Sequence, residues 1–291
     1  RPTAAAPPSC AARVIVTITT VPERLPLLYP VLSSLLAYQK TPVDLVIVHV
    51  PRQYKRGPQA PAIMPLFMQS FGSRVHVNRL CADAGPGTAL TGLTQVNCRF
   101  QPDDIIMYVH DDQIYHHAMV ATHVLAHKMT ARTVFCSRGS LLVPDTATLA
   151  PMHEPPLLPV NVAHGAGGVS FRYGDVRVAD LAAAVHALPG NADLALSNTF
   201  WKLRLNVRLL PRVLAHRSAM MHRVPREHAP DTHDPAVRTL RASHAWHMPT
   251  LYPRYACLAT QRTGPDVDHI AARLTRSMVN VYGGTQPTAP A

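Results

Sequence analysis

The chain has 291 residues, 47% hydrophobic and 15% charged, which excludes disorder of the whole chain and gives room for one large domain or two small ones. With 28 Lys and Arg against 17 Asp and Glu, the formal charge is +11; this favours anionic partners such as phosphates, but the basic residues form no block of the kind that marks a nucleic-acid-binding segment. Five widely spaced cysteines (Cys10, Cys81, Cys98, Cys136, Cys257) without a CxxC exclude a zinc ribbon and a dense disulfide framework, leaving room for one isolated bridge.

Residues 1–11 are rich in proline and alanine and read as a disordered lead-in. They resemble neither a signal peptide nor a targeting helix, and no stretch has the length of an apolar membrane span. The expected compartment is the cytoplasm, or the Golgi lumen if an N-terminal anchor has been removed. Arg13–Thr20 (RVIVTITT) is dense in β-branched residues and predicts a buried strand. Leu25–Lys40 has helical apolar spacing, with Pro30 marking an early break or a first helical position. VDLVIVHVP is a second strand, closed by Pro51. The rhythm continues with a short helix over 61–71, a strand in RVHVNRL and a helix in TALTGLTQV. A strand in DIIMYVH, a helix in HAMVATHVLAHKM and a strand in RTVFCSRG follow. Such alternation predicts a parallel sheet with helices on both faces. Residues 141–160 hold five prolines and read as an irregular excursion, so 139–160 is a candidate flexible lid or acceptor wall. Helices are predicted in VADLAAAVHAL and DLALSNTFWKLR. The expected organisation is one domain over 12–224, with 225–291 an extension packing on it.

In an open α/β sheet, ligands bind outside the carboxyl ends of the strands. Three predicted strand ends carry polar chemistry: Thr19-Thr20 with Glu23 and Arg24, the CADAGPGT segment after Leu80, and His110-Asp111-Asp112. Adjacent carboxylates at a strand end suit a hard divalent cation bound together with substrate phosphates. They suit equally the N-cap and first turn of a helix beginning at QIYHH. His123 and His127 stand four apart without the glutamate of HExxH, and read as packing or surface residues. His244 and His247 could fold back over a nucleotide diphosphate. The GAGG run, Gly165–Gly168, lacks P-loop and Rossmann spacing and reads as a tight turn. Ser170 and Ser197 have no GxSxG elbow around them.

Taken together, TITTVPERLP, ADAGPGTAL, DDIIMYVHDDQIY, AHGAGGVSFR and NADLALSN resemble, in order and spacing, glycosyltransferases of the GT-A fold, in particular the family-2-like group. The resemblance covers residues 13 to about 205. It implies a GT-A (Rossmann-like) α/β single domain with a mostly parallel central sheet flanked by helices. It implies an inverting, hexosyltransferase-type reaction, moving a sugar from a UDP- or GDP-sugar donor to a glycan, protein or small-molecule acceptor. It places Thr19, Thr20, Arg24, Asp83, Gly85 and Asp111 at the nucleotide, and Gly167 and Gly168 at the donor sugar or acceptor. Asp112, with Asp111 or His110, takes the place of the DxD-type metal ligands for Mn²⁺ or Mg²⁺, and Asp193 takes the place of the catalytic base. The chain departs from the family pattern at His110, Ala89, Ala192 and Ala195, where the family has an acid, a lysine, an acid and a tryptophan. Those departures support an alternative: a catalytically degenerate nucleotide-sugar or glycan-binding protein on the same fold.

Overall fold

A computed structural model of the chain describes residues 12–54, 64–143, 148–152, 159–188 and 190–210. Residues 1–11, expected as a lead-in, and 211–291, which include the proposed 225–291 extension, lie outside them, and with them Cys10, Cys257, His244 and His247.

The elements run β1 (Val14–Thr19), α1 (Leu28–Leu36), β2 (Leu45–Pro51), β3 (Val75–Leu80), α2 (Thr88–Thr91), β4 (Ile105–Tyr108), α3 (Met119–Met129) and β5 (Thr133–Cys136). They continue with β6 (Gly139–Val143), β7 (Thr148–Met152), β8 (Val162–Ala163), β9 (Val169–Arg172), α4 (Val178–Ala187), α5 (Ala192–Lys202) and β10 (Asn206–Leu209). Seven strands form the central sheet in the order β10-β5-β9-β4-β1-β2-β3. The expected mostly parallel sheet is there, with β9 antiparallel to both β4 and β5.

The period of two along the strands divides the core. Ile15, Ile47, Ile106 and Tyr108 face a layer with α4 and α5, while Val16, Val48 and Met107 face a layer with α1 and α3. Helices thus cover both faces, which is why the central strands read as near-continuous apolar runs. Helix α1 buries Leu28, Val31, Leu32 and Leu35, a single face at helical spacing. Each such side chain contributes about 1.5–3 kcal/mol by leaving water. Pro30 is neither a break nor the first helical residue. It is the third residue of α1, where its missing N–H is one of the first four that lack an intrahelical partner anyway.

At the amino edge, the buried Asp104 carboxylate accepts hydrogen bonds from the Arg13 backbone N–H and guanidinium and from the Gln101 N–H. Burial alone would raise its pKa, but these donors together hold it below the ordinary value. The starts of β1 and β4 are pinned there, away from the edge that carries the site.

Residues 141–160 are not a wholly irregular excursion. β6 and β7 pair antiparallel, and β8 joins on the other side of β6, giving a second sheet of three strands. Pro151 lies in β7, an edge strand, where a missing ladder donor is tolerated. Residues 144–147 and 153–158 of this segment are outside the described ones. Cys81, Cys98 and Cys136 are free thiols, with Cys136 buried. Among the described residues no helix is long and apolar enough to cross a membrane.

Candidate active site

Register brings the site together. β1 and β4 are adjacent and parallel with Thr17 level with Tyr108, so three residues further on Thr20 and Asp111 stand at the same height. Thr20 hydrogen-bonds Asp111 there, and Arg24 from the turn after β1 places Nη1 2.6 Å from Asp111 Oδ1 and 3.8 Å from Asp112 Oδ2. The Asp111 side chain is almost completely buried, and burial pushes its carboxyl up; the Arg24 charge and hydrogen bond pull the other way without cancelling it, so its pKa stays above the ordinary value. Burial also opposes the Arg24 charge, but Asp111 and Asp112 outweigh it and raise the Arg24 pKa. The two stand at ion-pair distance, and each is the other's charged partner in a largely buried place. Arg24 Nε and Gln113 Oε1 are buried without a partner among the described residues, while Gln113 Nε2 donates to Asp112 Oδ1 at 3.2 Å.

The helix-cap explanation of the acidic pair does not hold, since α3 begins at Met119 with Ala118 as its N-cap residue. Between strand and helix, the Tyr115 hydroxyl accepts from the His110 N–H at 2.9 Å and donates to the His110 carbonyl at 3.0 Å. That clamp sets the turn and presents the His110 ring.

β9 runs antiparallel to β4 with Val169 opposite Tyr108, so the residues before β9 pass beside those after β4. Gly165 lies there so closely that a Cβ would be 2.3 Å from the Tyr108 ring and 2.8 Å from His110 Nε2. Only glycine fits. Gly168 adopts φ +83°, which turns the chain into β9, and a Cβ on Gly167 would meet Arg138. These two glycines expected beside a substrate thus have reasons within the fold.

Asp193 enters from the first turn of α5, which is capped by Asn191 Oδ1 accepting from the Leu194 N–H. Its Oδ1 accepts from the Gly165 N–H at 3.0 Å, its Oδ2 lies 3.2 Å from His164 Nδ1, and His110 Nε2 is 3.9 Å from Oδ1. His110 Nε2 is also 3.2 Å from the Tyr108 hydroxyl. Burial alone would raise the Asp193 pKa, but the His164 hydrogen bond, the two imidazoles and the Gly165 N–H together lower it. One fifth of the side chain remains exposed. The result is a carboxylate held ionised, oriented and reachable.

The other predicted residues serve the frame. Thr19 Oγ1 donates to the His49 carbonyl. Asp83 Oδ1 accepts from the Gly85 N–H at 2.7 Å and from the Thr88 hydroxyl at 3.3 Å, holding the turn after β3. Ala89, where the family has lysine, is fully buried in the core. Of the three residues assigned to a metal, Asp111 is engaged by Arg24 and His110 faces Tyr108 and Asp193, which leaves Asp112 with its side chain 39% exposed. Among the described residues no group of three His, Cys, Asp or Glu side chains could hold a metal ion. The donor set thus fits a cation held by one carboxylate and completed by substrate phosphates, and no fuller protein cage.

Sequence reasoning missed His164, Gly165, Tyr115 and Ser140. The G-A-G-G run was a signal for Gly165, and nothing local marked the others.

No known family model matches the chain, and no curated protein matches it. Among solved structures, S. aureus TarS is similar at 14% identity and a TM-score of 0.46, over 68% of this chain and 35% of that one. This chain thus spans about a third of the TarS chain. A 4-diphosphocytidyl-2C-methyl-D-erythritol synthase is similar at 14% identity and a TM-score of 0.43, over 72% of this chain and 94% of that one. The Francisella tularensis 2-C-methyl-D-erythritol 4-phosphate cytidylyltransferase is similar at 10% identity and 0.43, with the same coverages.

Proposed function

We propose that the chain is a glycosyltransferase of GT-A type that moves a sugar from a UDP- or GDP-sugar to an acceptor hydroxyl, with inversion. What supports this most is the meeting of Asp193 with the end of β4, an ionised and reachable carboxylate beside His110 at the carboxyl edge of the sheet. In the reaction the acceptor oxygen attacks the anomeric carbon, the bond from that carbon to the diphosphate breaks, and Asp193 takes the hydroxyl proton. Holding both carboxylate oxygens fixes the direction of proton transfer, which is worth most when the reactants are already aligned.

The nucleotide lies over the ends of β1 and β3 in this reading, near Thr19, Thr20, Arg24, Asp83 and Gly85. Arg24 brings an unspent Nε–H donor and is fixed by Asp111. Asp112 would hold Mg²⁺ or Mn²⁺, which when bound neutralises charge on the departing diphosphate. The basic balance of the chain, +11, helps to draw in an anionic donor.

A second reading, nucleotide-sugar binding without transfer, is favoured by one observation: Arg24 neutralises Asp111, so a single carboxylate of the pair is left for a cation. The test is thermal stabilisation by a panel of UDP- and GDP-sugars with and without Mn²⁺, followed by nucleoside diphosphate release with the donor that binds. The transferase reading expects a shift with one donor, turnover, and a loss of at least about 10²-fold in Asp193→Asn with binding retained. A shift without turnover establishes the second reading. No shift with any donor, or full turnover in Asp193→Asn, overturns the proposal.

A further inference from the structure

We propose that His164 is a positioning residue that aims the Asp193 carboxylate, and that Ser140 clamps it from behind. The proposal rests on the reading of Asp193 as the base. Ser140 Oγ lies 2.7 Å from His164 Nε2, and His164 Nδ1 lies 3.2 Å from Asp193 Oδ2. The connectivity is that of a hydrolase triad, but the exposures run the opposite way. Ser140 is 4% exposed, hemmed by β7 and β8, whereas the His164 and Asp193 side chains are 22% and 20% exposed. A nucleophile has to meet its substrate, and here it is the acid that can do so. The serine anchors, the imidazole aims, and the carboxylate faces outward.

The grip has three parts. His164 holds Oδ2 with its ring, and the next residue, Gly165, holds Oδ1 with its N–H at 3.0 Å. Behind them the Ser197 hydroxyl donates to the Asp193 carbonyl at 2.7 Å and accepts from the Ala163 N–H at 2.9 Å. The first turn of α5 is thereby tied to β8, the strand that leads into His164. An ionised carboxylate only accepts, so the proton between the two sits on His164 Nδ1, while Nε2 meets the Ser140 hydroxyl. With that proton in place Nδ1 has no lone pair for a proton arriving on Asp193, so His164 orients the base and does not relay. Two protein donors leave carboxylate lone pairs for an acceptor hydroxyl.

Two isosteric variants separate the halves of this chain. His164→Asn keeps a donor near the Nδ1 position and loses Ser140; His164→Gln keeps a group near the Nε2 position and loses Asp193. With the donor sugar that binds, kcat should fall about 10²-fold in His164→Gln and stay within about tenfold of wild type in His164→Asn, with KM for the donor unchanged in both. Equal kcat in the two variants, or a loss carried by KM, overturns the positioning role while leaving Asp193 as base, provided Asp193→Asn is inactive in the same assay. Wild-type turnover in Asp193→Asn overturns both together. Long-range ¹⁵N–¹H spectra of histidine-labelled protein give a readout that needs no donor. They should show His164 protonated at Nδ1, and an Nδ1 without a proton would overturn the proposal.

Discussion

Two places in this molecule set a pair of histidines around one oxygen-bearing side chain. In the core, His123 Nδ1 and His127 Nε2 lie 2.7 and 2.9 Å from Ser170 Oγ. At the sheet edge, His164 and His110 flank Asp193 at 3.2 and 3.9 Å. The first group is sealed between α3 and β9, and burial pushes both histidines down to about 3, helped at His123 by the charge of His127 and at His127 by that of Arg172. The second keeps a carboxylate that is partly open. A hydroxyl between imidazoles satisfies neutral rings and fixes packing; a carboxylate between imidazoles at an open edge stores charge that a substrate can use. The same residue types become structure or chemistry according to the dielectric around them.

The comparison breaks most severely if the core group is given the edge group's charge. Ser170→Asp should cost about 3–5 kcal/mol at pH 8, read by urea unfolding, because it buries a carboxylate between neutral rings. A loss under about 1 kcal/mol would mean that water reaches the site. Ser170→Ala leaves ring nitrogens without a partner and should cost about 2 kcal/mol.

Acid sharpens the contrast. His49, His123 and His127 are all lowered from 6.5 to about 3, chiefly by burial. Between those values the unfolded chain binds protons that the native one refuses, so stability is complete above pH 6.5 and falls as pH drops. Each histidine contributes a slope of up to about 1.4 kcal/mol per pH unit. Unfolding curves at pH 7 and pH 5 measure the sum, and His127→Gln should remove one proton's share; an unchanged slope would show that His127 is not buried neutral.

The smallest effect belongs to the edge. Asp193→Asn should change stability by no more than about 1 kcal/mol, since water can serve the exposed side, while the activity loss is large. A stability loss of several kcal/mol would make Asp193 a structural residue.

The strands β1 to β4 were legible because each is a short β-branched or apolar run, closed by a polar break and separated by helical periodicity. β9 and β10 were not, since VSFR and NVRL are too short to show a period, and only three residues, with Arg204 at positive φ, separate α5 from NVRL. The pairing of β6 with β7 was hidden by the proline-rich sequence around it, and Pro151 within β7 is accepted because β7 is an edge strand. Asp193 and the acidic pair were visible through the family-like order of motifs. The pairing of Arg24 with Asp111, 87 residues apart, had no local signal.

Periodicity and hydropathy are properties of neighbours along the chain, so they mark which stretches are buried, that strands and helices alternate, and that polar residues collect where strands end. Which polar residues pair with one another is set by contacts between distant segments. The antiparallel entry of β9 carries Gly165 against His110 and brings His164 to Asp193, and the level of β1 against β4 hands Asp111 to Arg24. Those outcomes depend on strand register, which long-range packing sets and no local pattern records.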